Sequence, residues 1–246
     1  MKTQRTVVLI AILAVATGFL LYDRLTRPPE KPAAEERLIS DFIRLYHSRG
    51  IHYRTSWLGI STLENPCDMW AIQEIITETK PEFIIETGTY RGGGALFYAS
   101  ILSLLGEGGK VITVDIKSFH DNAAKQKIFR DGVEFIEGSS VSSEVIERIA
   151  DRIKGSSRVM VTLDSDHHKA HVLNELRLYS KFVTVGGYLI VQDTSHNSHP
   201  LRTDYGPGPR EALEDFLKEN KDFVRDPDRE KFLLTFHPGG YLKRVR

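Results

Sequence analysis

Residues 83–95 read FIIETGTYRGGGA, and this stretch decides the fold. The apolar run that begins at Phe83 is typical of a strand buried in a parallel sheet, and it ends in the carboxylate of Glu86. The glycines that follow allow a sharp turn and a close approach of the backbone to a ligand. A helix of small residues begins near Ala95. The stretch therefore predicts a strand-to-helix corner of the type that binds nucleotide-like cofactors.

The chain beyond Pro81 alternates between short apolar runs and amphipathic stretches. The predicted strands are Phe83–Glu86, Val111–Ile116, Val133–Ile136, Val159–Leu163 and Tyr188–Val191. The predicted helices are Ala95–Leu105, Asn122–Arg130, Ser143–Ile153, Lys169–Phe182 and Arg210–Asn220. Repeated β-then-α units predict a mainly parallel sheet with helices on both faces, and right-handed crossovers place all strand carboxyl ends at one edge.

The carboxyl-terminal part does not continue the alternation of strands and helices. Phe232–Phe236 and Tyr241–Arg244 are separated by the turn HPGG, a pattern that predicts an antiparallel hairpin. A parallel sheet that finishes in such a hairpin is the layout of an α/β, Rossmann-like class I methyltransferase with seven strands. Helices Glu35–His47 and Asp68–Lys80 are predicted before the sheet.

The amino-terminal residues differ from the rest. Residues 7–22 carry no charge and would span roughly 24 Å as a helix, close to a ~30 Å hydrocarbon core. We predict an uncleaved single-pass anchor, with a cleaved signal peptide ending near Ala16 as the alternative. The expected domains are a membrane anchor at 1–27, a linker with one helix at 28–56, and the catalytic domain at 57–246. This prediction implies a membrane location with the catalytic domain in the cytoplasm.

Composition excludes several classes of partner. Lys plus Arg and Asp plus Glu both total 33, so no excess of positive charge points to nucleic acid. Cys67 is the sole cysteine, which excludes an intramolecular disulfide and a zinc site built from several cysteines. The composition leaves a homo-oligomer open.

The glycine corner matches neither common phosphate motif, since it lacks both G-x-G-x-x-G and a Gly-Lys-Ser/Thr end. A carboxylate before the turn would repel pyrophosphate but could accept hydrogen bonds from a cationic amino-acid group. This favours S-adenosylmethionine over NAD or ATP. The alternative is an ordinary β-α turn with solvent-facing acids. The residues predicted to bind the cofactor are Glu86, Gly88, Thr89, Gly92, Asp115 (for the ribose hydroxyls), Ser139 and Ser140.

Acidic and amide side chains also follow two later strands. Asp164 ends one predicted strand, and Gln192 with Asp193 ends the next. Oxygen ligands at adjacent strand ends suit Mg²⁺, and such an ion could stabilise a deprotonated substrate hydroxyl. The alternative is that these acids only cap helices or pair with nearby His and Lys. We predict His167 as general base, together with Asp164, because an imidazole titrates near neutrality; alternatively, His167 only holds Asp164 or Asp193 in place.

Many separated motifs resemble the cephalosporin hydroxylase / rhamnosyl O-methyltransferase family, over roughly residues 57–244. They are WLG at 57–59, PCDMW at 66–70, QEII at 73–76, KPEFIIETGT at 80–89, GGGALF at 92–97, LDSDH at 163–167, HV at 171–172, DT at 193–194, GPGP at 206–209 and the terminal GYLKR. The resemblance implies a class I methyltransferase that uses S-adenosylmethionine and a divalent ion, typically Mg²⁺, held by acids matching Asp164 and Asp193.

One position departs from the family pattern, which has Glu-Asp where this chain has Gln192-Asp193. The departure removes one negative charge from the expected ion site. The expected activity is O-methylation of a sugar, glycolipid or other small natural product. Two alternatives remain: an iron-dependent hydroxylase using His167, His171 and Asp164, and a catalytically silent membrane-anchored scaffold, to which Gln192 points.

Overall fold

The computed structural model describes residues 33–246. By their contacts, residues divide into the units Met1–Leu38 and Ile39–Arg246. Of the first unit only 33–38 are described, as the start of helix α1 (Ala33–Ser48). The sheet and the other helices belong to the second unit.

A seven-stranded sheet forms the centre of this second unit, in the order β5-β4-β3-β6-β7-β9-β8. Strands β3 to β7 pair in parallel, whereas β9 pairs antiparallel with both β7 and β8. These strands are β3 (Phe83–Thr87), β4 (Lys110–Asp115), β5 (Val133–Glu137), β6 (Val159–Leu163), β7 (Tyr188–Val191), β8 (Phe223–Arg225) and β9 (Tyr241–Arg244). A separate two-stranded ribbon pairs β1 (Ser56–Trp57) with β2 (Ile60–Ser61). The predicted class I methyltransferase layout is confirmed.

Helices cover both faces of the sheet. They are α2 (Pro66–Thr79), α3 (Gly93–Leu105), α4 (Lys127–Gly132), α5 (Ser143–Arg152), α6 (Lys169–Tyr179) and α7 (Pro209–Glu219). Neighbouring residues of β3 point to opposite faces, as alternation in a strand requires. Ile84 packs in the cluster that contains α2 and α3, whereas Ile85 packs in the cluster that contains α5, α6 and α7. Burial on both faces explains why the strands read as continuous apolar runs.

The predicted position of the first strand of the terminal hairpin is wrong. The partner of β9 is β8 at Phe223–Arg225, and residues 232–236 form no strand. The segment is fixed by other partners: the Phe236 N–H donates to Asp68 Oδ2 (2.8 Å), and the Phe236 carbonyl accepts from the Ser195 N–H (3.0 Å). The Phe236 ring packs with Ile43 and Leu201. Phe236 and the partly buried Leu234 therefore serve tertiary packing rather than a strand.

One predicted helix is split. In place of Asn122–Arg130, a 3₁₀ turn at Ala123–Lys125 is followed by α4. The break falls at Gln126, whose backbone is extended (ψ 131°).

The predicted membrane location is not supported. Among the helices within residues 33–246, none is both long and apolar enough to cross a bilayer. The predicted anchor at 7–22 lies outside the described residues. The membrane location and the membrane partner are accordingly corrected, while the domain boundaries stay predictions.

Candidate active site

A cavity of about 460 Å³ lies where the parallel strands end, within the ~300–1,000 Å³ range usual for small-molecule sites. It is lined by Thr62, Leu63, Glu64, Gly88, Tyr90, Val114, Asp115, Ile116, Gly138, Ser139, Ser140, Asp164, Ser165, Asp166, His167, His171, Gln192 and Asp193. Most of these residues immediately follow β3, β4, β5, β6 or β7. The predicted sheet edge is thus the edge that carries the cavity.

Backbone hydrogen bonds extend the sheet by one residue at this edge. The Gly88 N–H donates to the Val114 carbonyl (2.8 Å), and the Asp164 N–H donates to the Thr87 carbonyl (3.0 Å). In the same way the Gln192 N–H donates to the Leu163 carbonyl (3.0 Å). The sheet itself therefore fixes where Gly88, Asp164 and Gln192 enter the cavity wall.

Gly88 requires the absence of a side chain. Its φ of +90° lies in the left-handed region, and a Cβ there would stand 1.9 Å from the Asp164 carbonyl oxygen. Any larger residue would push β3 and β6 apart at the cavity.

The part of the cavity around β4 and β5 is held by backbone contacts. Asp115 Oδ2 accepts the Tyr90 N–H at 2.8 Å, and Tyr90 itself has a left-handed φ of 44°. The Ser140 carbonyl accepts the Tyr179 hydroxyl at 2.8 Å. The carboxylate of Asp115 has a second oxygen for the hydroxyls of a ribose. We name this part, comprising Gly88, Asp115, Ser139 and Ser140, the donor half.

Three residues predicted to bind the cofactor lie outside the cavity lining. Glu86 is buried and accepts the Thr113 hydroxyl, and that hydroxyl also pairs with Thr89. Burial raises the pKa of Glu86 well above its usual range. Gly92 caps the start of α3. The direct cofactor contacts of Glu86, Thr89 and Gly92 stay predictions, and in the structure these residues lie at the corner without lining the cavity.

The other part of the cavity, which we name the ion half, contains Asp164, His167, Gln192 and Asp193. The His167 ring lies between the two carboxylates, with Nε2 3.4 Å from Asp164 Oδ1 and Nδ1 3.0 Å from Asp193 Oδ2. Asp193 has a left-handed φ of 54°, which is costly for a residue with a side chain. The structure therefore brings the predicted base and both predicted acidic ligands into one group.

Charge pairing controls titration in the ion half. Burial lowers the pKa of His167, but Asp193 and Asp164 outweigh it and hold that pKa well above the usual range. Burial likewise opposes ionisation of Asp193, yet His167 lowers its pKa. Without another cation in the group, His167 is an imidazolium whose single positive charge is shared between two carboxylates.

Gln192 lines the cavity, and its amide oxygen is the atom that it can offer to a ligand there. Both amide protons are engaged, because Nε2 donates to Thr162 Oγ1 (2.8 Å) and to the Tyr98 hydroxyl (3.3 Å). With Asp164 and Asp193 it supplies an all-oxygen donor set, which fits a hard cation. The set carries two negative charges.

The sequence did not identify three residues at or beside this site. Glu64 belongs to the cavity lining, His237 accepts the Asp193 N–H at Nδ1 (3.0 Å), and His196 Nε2 lies 3.8 Å from Asp193 Oδ2. Burial lowers the pKa of His196 to about 4, so the ring is neutral. Together, His167, Asp193 and His196 could share a metal ion. Glu64 and His237 follow no strand of the parallel sheet, and His196 was interpreted only as a loop residue.

The ligand set of the hydroxylase alternative is not assembled. His171 Nε2 faces Ser140 Oγ (3.1 Å), Ser165 Oγ (3.2 Å) and Glu175 Oε1 (3.4 Å). His167, by contrast, faces Asp164 and Asp193. The two histidines thus serve different clusters.

The topology, the glycine corner and the acidic strand ends define a class I methyltransferase. The model of the family described as Rhamnosyl O-methyltransferase/CmcI matches residues 49–245. The chain belongs to this family, as its motifs indicated.

Similar proteins agree with this assignment. Rhamnosyl O-methyltransferases of Mycobacterium tuberculosis and Mycobacterium leprae are both 36% identical to this chain, over 88% and 85% of it and over 86% and 91% of their own lengths. Among solved structures, CmcI with Mg and SAM covers 90% of this chain and 88% of its own, at 17% identity and a TM-score of 0.62. An O-methyltransferase from Bacillus cereus in complex with SAH covers 84% and 87%, at 14% identity and a TM-score of 0.52. At these identities the structural matches show the fold. Family membership makes the chain an O-methyltransferase.

Proposed function

We propose that this protein transfers a methyl group from S-adenosylmethionine to a hydroxyl of a sugar, either in a glycolipid or in another small glycoside. The observation that carries the proposal is the cavity itself, which joins the donor half to the ion half. The acceptor class is supported by the mycobacterial relatives, whose names specify a rhamnosyl acceptor.

The donor half fits an adenosyl cofactor. Asp115 offers a fixed carboxylate to ribose hydroxyls, and Gly138 with Ser139 lies on the neighbouring strand end, where a base could rest. Gly88 lets the cofactor approach the backbone. When bound, S-adenosylmethionine supplies an electrophilic methyl group on its sulfonium. Because that group is already reactive, the chain contributes mainly by orienting the acceptor hydroxyl and stabilising its charge.

The ion half fits a divalent ion such as Mg²⁺, held by Asp164, Asp193 and the oxygen of Gln192. Such an ion would lower the pKa of an acceptor hydroxyl. It would also replace the positive charge that His167 now provides to the two carboxylates. We propose that His167 then becomes neutral and takes the proton of the acceptor hydroxyl at a ring nitrogen. As an imidazolium it has no lone pair for that step.

Incubation of the purified protein with isotope-labelled S-adenosylmethionine and glycosides of rhamnose and other sugars tests this proposal. We expect label in an O-methyl ether of a sugar, and less of it after the divalent ions are chelated. If S-adenosylmethionine binds but a broad panel of glycosides stays unlabelled, the sugar acceptor is wrong. If neither binding nor turnover is found with any acceptor, the silent scaffold is the better description.

A further inference from the structure

We infer that Glu64 holds the cationic amino-acid end of the cofactor, a role that the sequence pattern assigned to Glu86. The inference rests on the proposed use of S-adenosylmethionine and deepens it. It follows from where the two carboxylates lie. Glu64 belongs to the cavity lining, whereas Glu86 is buried outside that lining and accepts the Thr113 hydroxyl.

The segment that carries Glu64 is fixed against the corner. A Cβ on Gly93, the first residue of α3, would stand 2.1 Å from the Ser61 carbonyl oxygen, so the backbone at Ser61 lies directly on the start of α3. The next residue, Asn65, caps α2 by accepting the Cys67 N–H (3.0 Å), and its Nδ2 donates to the Leu234 carbonyl (3.1 Å). Glu64 thus enters the cavity lining from a segment that is fixed on either side, at Ser61 and at Asn65.

Glu64 has a weak partner in its buried site. Its Oε2 lies 3.5 Å from His237 Nε2, which makes no hydrogen bond within the described residues. The other ring nitrogen, Nδ1, accepts the Asp193 N–H at 3.0 Å. At 3.5 Å the contact with Nε2 is longer than an ordinary hydrogen bond, so Glu64 lacks a close partner among the described residues.

The other carboxylates of the cavity have defined partners. Asp115 accepts the Tyr90 N–H, and Asp166 accepts the His168 N–H at 2.8 Å. Asp164 and Asp193 share His167. A buried carboxylate with no full partner gains most from an incoming ammonium group. The amino group of the cofactor's methionine part supplies such a cation.

Two ligands separate this role from a general effect on the cavity. S-Adenosylhomocysteine carries the amino-acid end, whereas 5′-methylthioadenosine keeps the adenine, ribose and sulfur but lacks that end. Calorimetry with both ligands is performed on the wild type and on Glu64→Gln, an uncharged variant of the same size. Asp115→Asn serves as the variant that should weaken both ligands, and Glu86→Gln tests the role first predicted from the sequence.

We expect Glu64→Gln to weaken S-adenosylhomocysteine by roughly 10- to 100-fold and to leave 5′-methylthioadenosine within about twofold. Retained binding of the second ligand also shows that the variant is folded. Equal losses for both ligands in Glu64→Gln, or a selective loss in Glu86→Gln alone, would overturn the inference while the proposed function stands. If the wild type binds neither ligand, the proposed cofactor is wrong and the inference fails with it.

Discussion

The donor half and the ion half lie at the same sheet edge but are held by different forces. In the donor half, backbone groups determine the geometry: the Gly88 turn, the Tyr90 N–H on Asp115 and the Tyr179 hydroxyl on the Ser140 carbonyl. In the ion half, side-chain charges hold one another, with His167 between Asp164 and Asp193. The comparison indicates that the donor half can bind its ligand without rearrangement. In the ion half, by contrast, a bound divalent ion would have to replace the positive charge of His167.

The largest effect should come from Gly88→Ala. The new Cβ would collide with the Asp164 carbonyl, and φ at this position is +90°. We expect no measurable binding of S-adenosylhomocysteine and a loss of stability of several kcal/mol. Gly106→Ala is the matched control, since it has a φ of +71° but open space around it. Equal behaviour of the two variants in calorimetry and thermal unfolding would mean that Gly88 is not a steric requirement.

His167→Ala tests the ion half in the same way. Loss of a general base should lower kcat for methyl transfer by roughly 10²- to 10⁴-fold, with binding of S-adenosylhomocysteine nearly unchanged. His168→Ala is the control, because its ring is exposed and pairs with Asp166 instead. A fall in cofactor affinity as large as the fall in kcat would show that the two halves are not separate.

The origin of each half explains how much of it could be predicted from the sequence. Strands β6 and β7 have the predicted bounds, and Asp115, Asp164 and Asp193 lie in the cavity because a parallel sheet aligns its carboxyl ends. The residues that were missed come from irregular segments, whose positions depend on tertiary packing. Glu64 is placed by the cap of α2.

The hairpin error has the same cause. An apolar run such as 232–236 suits a strand, but Asp68 and Ser195 bind its backbone instead. The partner of Glu86 was also beyond a sequence pattern, because only the structure shows that it accepts the Thr113 hydroxyl and lies outside the cavity lining.

The pH dependence of stability tests the burial of Glu64. Burial raises the pKa of Glu64 to about 7, with Asp164 and Asp68 adding to the rise and His237 opposing it. A carboxyl with a raised folded-state pKa contributes stability below its unfolded pKa of ~4.3, and this is lost as pH rises through 7. Relative to wild type, Glu64→Gln should therefore gain on the order of 3 kcal/mol between pH 4.5 and 8. Denaturant unfolding of both proteins measures this, and a difference that does not vary with pH would contradict the buried state of Glu64.

A smaller effect is expected for Gln192→Glu. The change adds a negative charge to the oxygen donor set, and we expect Mg²⁺ to bind about tenfold more tightly, roughly 1.4 kcal/mol. Gln73→Glu makes the same change on α2, at a partly exposed position where Gln73 bonds Thr77. Magnesium titration monitored by calorimetry compares the two. If neither variant changes the affinity for Mg²⁺, the ion either binds at another site or has no role in this protein.

The most direct test of the central claim is calorimetry of the wild type and Asp115→Ala with S-adenosylhomocysteine. The account predicts one binding site per chain, and a loss of roughly 100-fold in affinity in the variant, because two ribose hydroxyls lose a charged acceptor. Circular dichroism should show that the fold is retained. Absence of binding to the wild type, or equal affinity in both proteins, would contradict the assignment of the donor half to this cofactor.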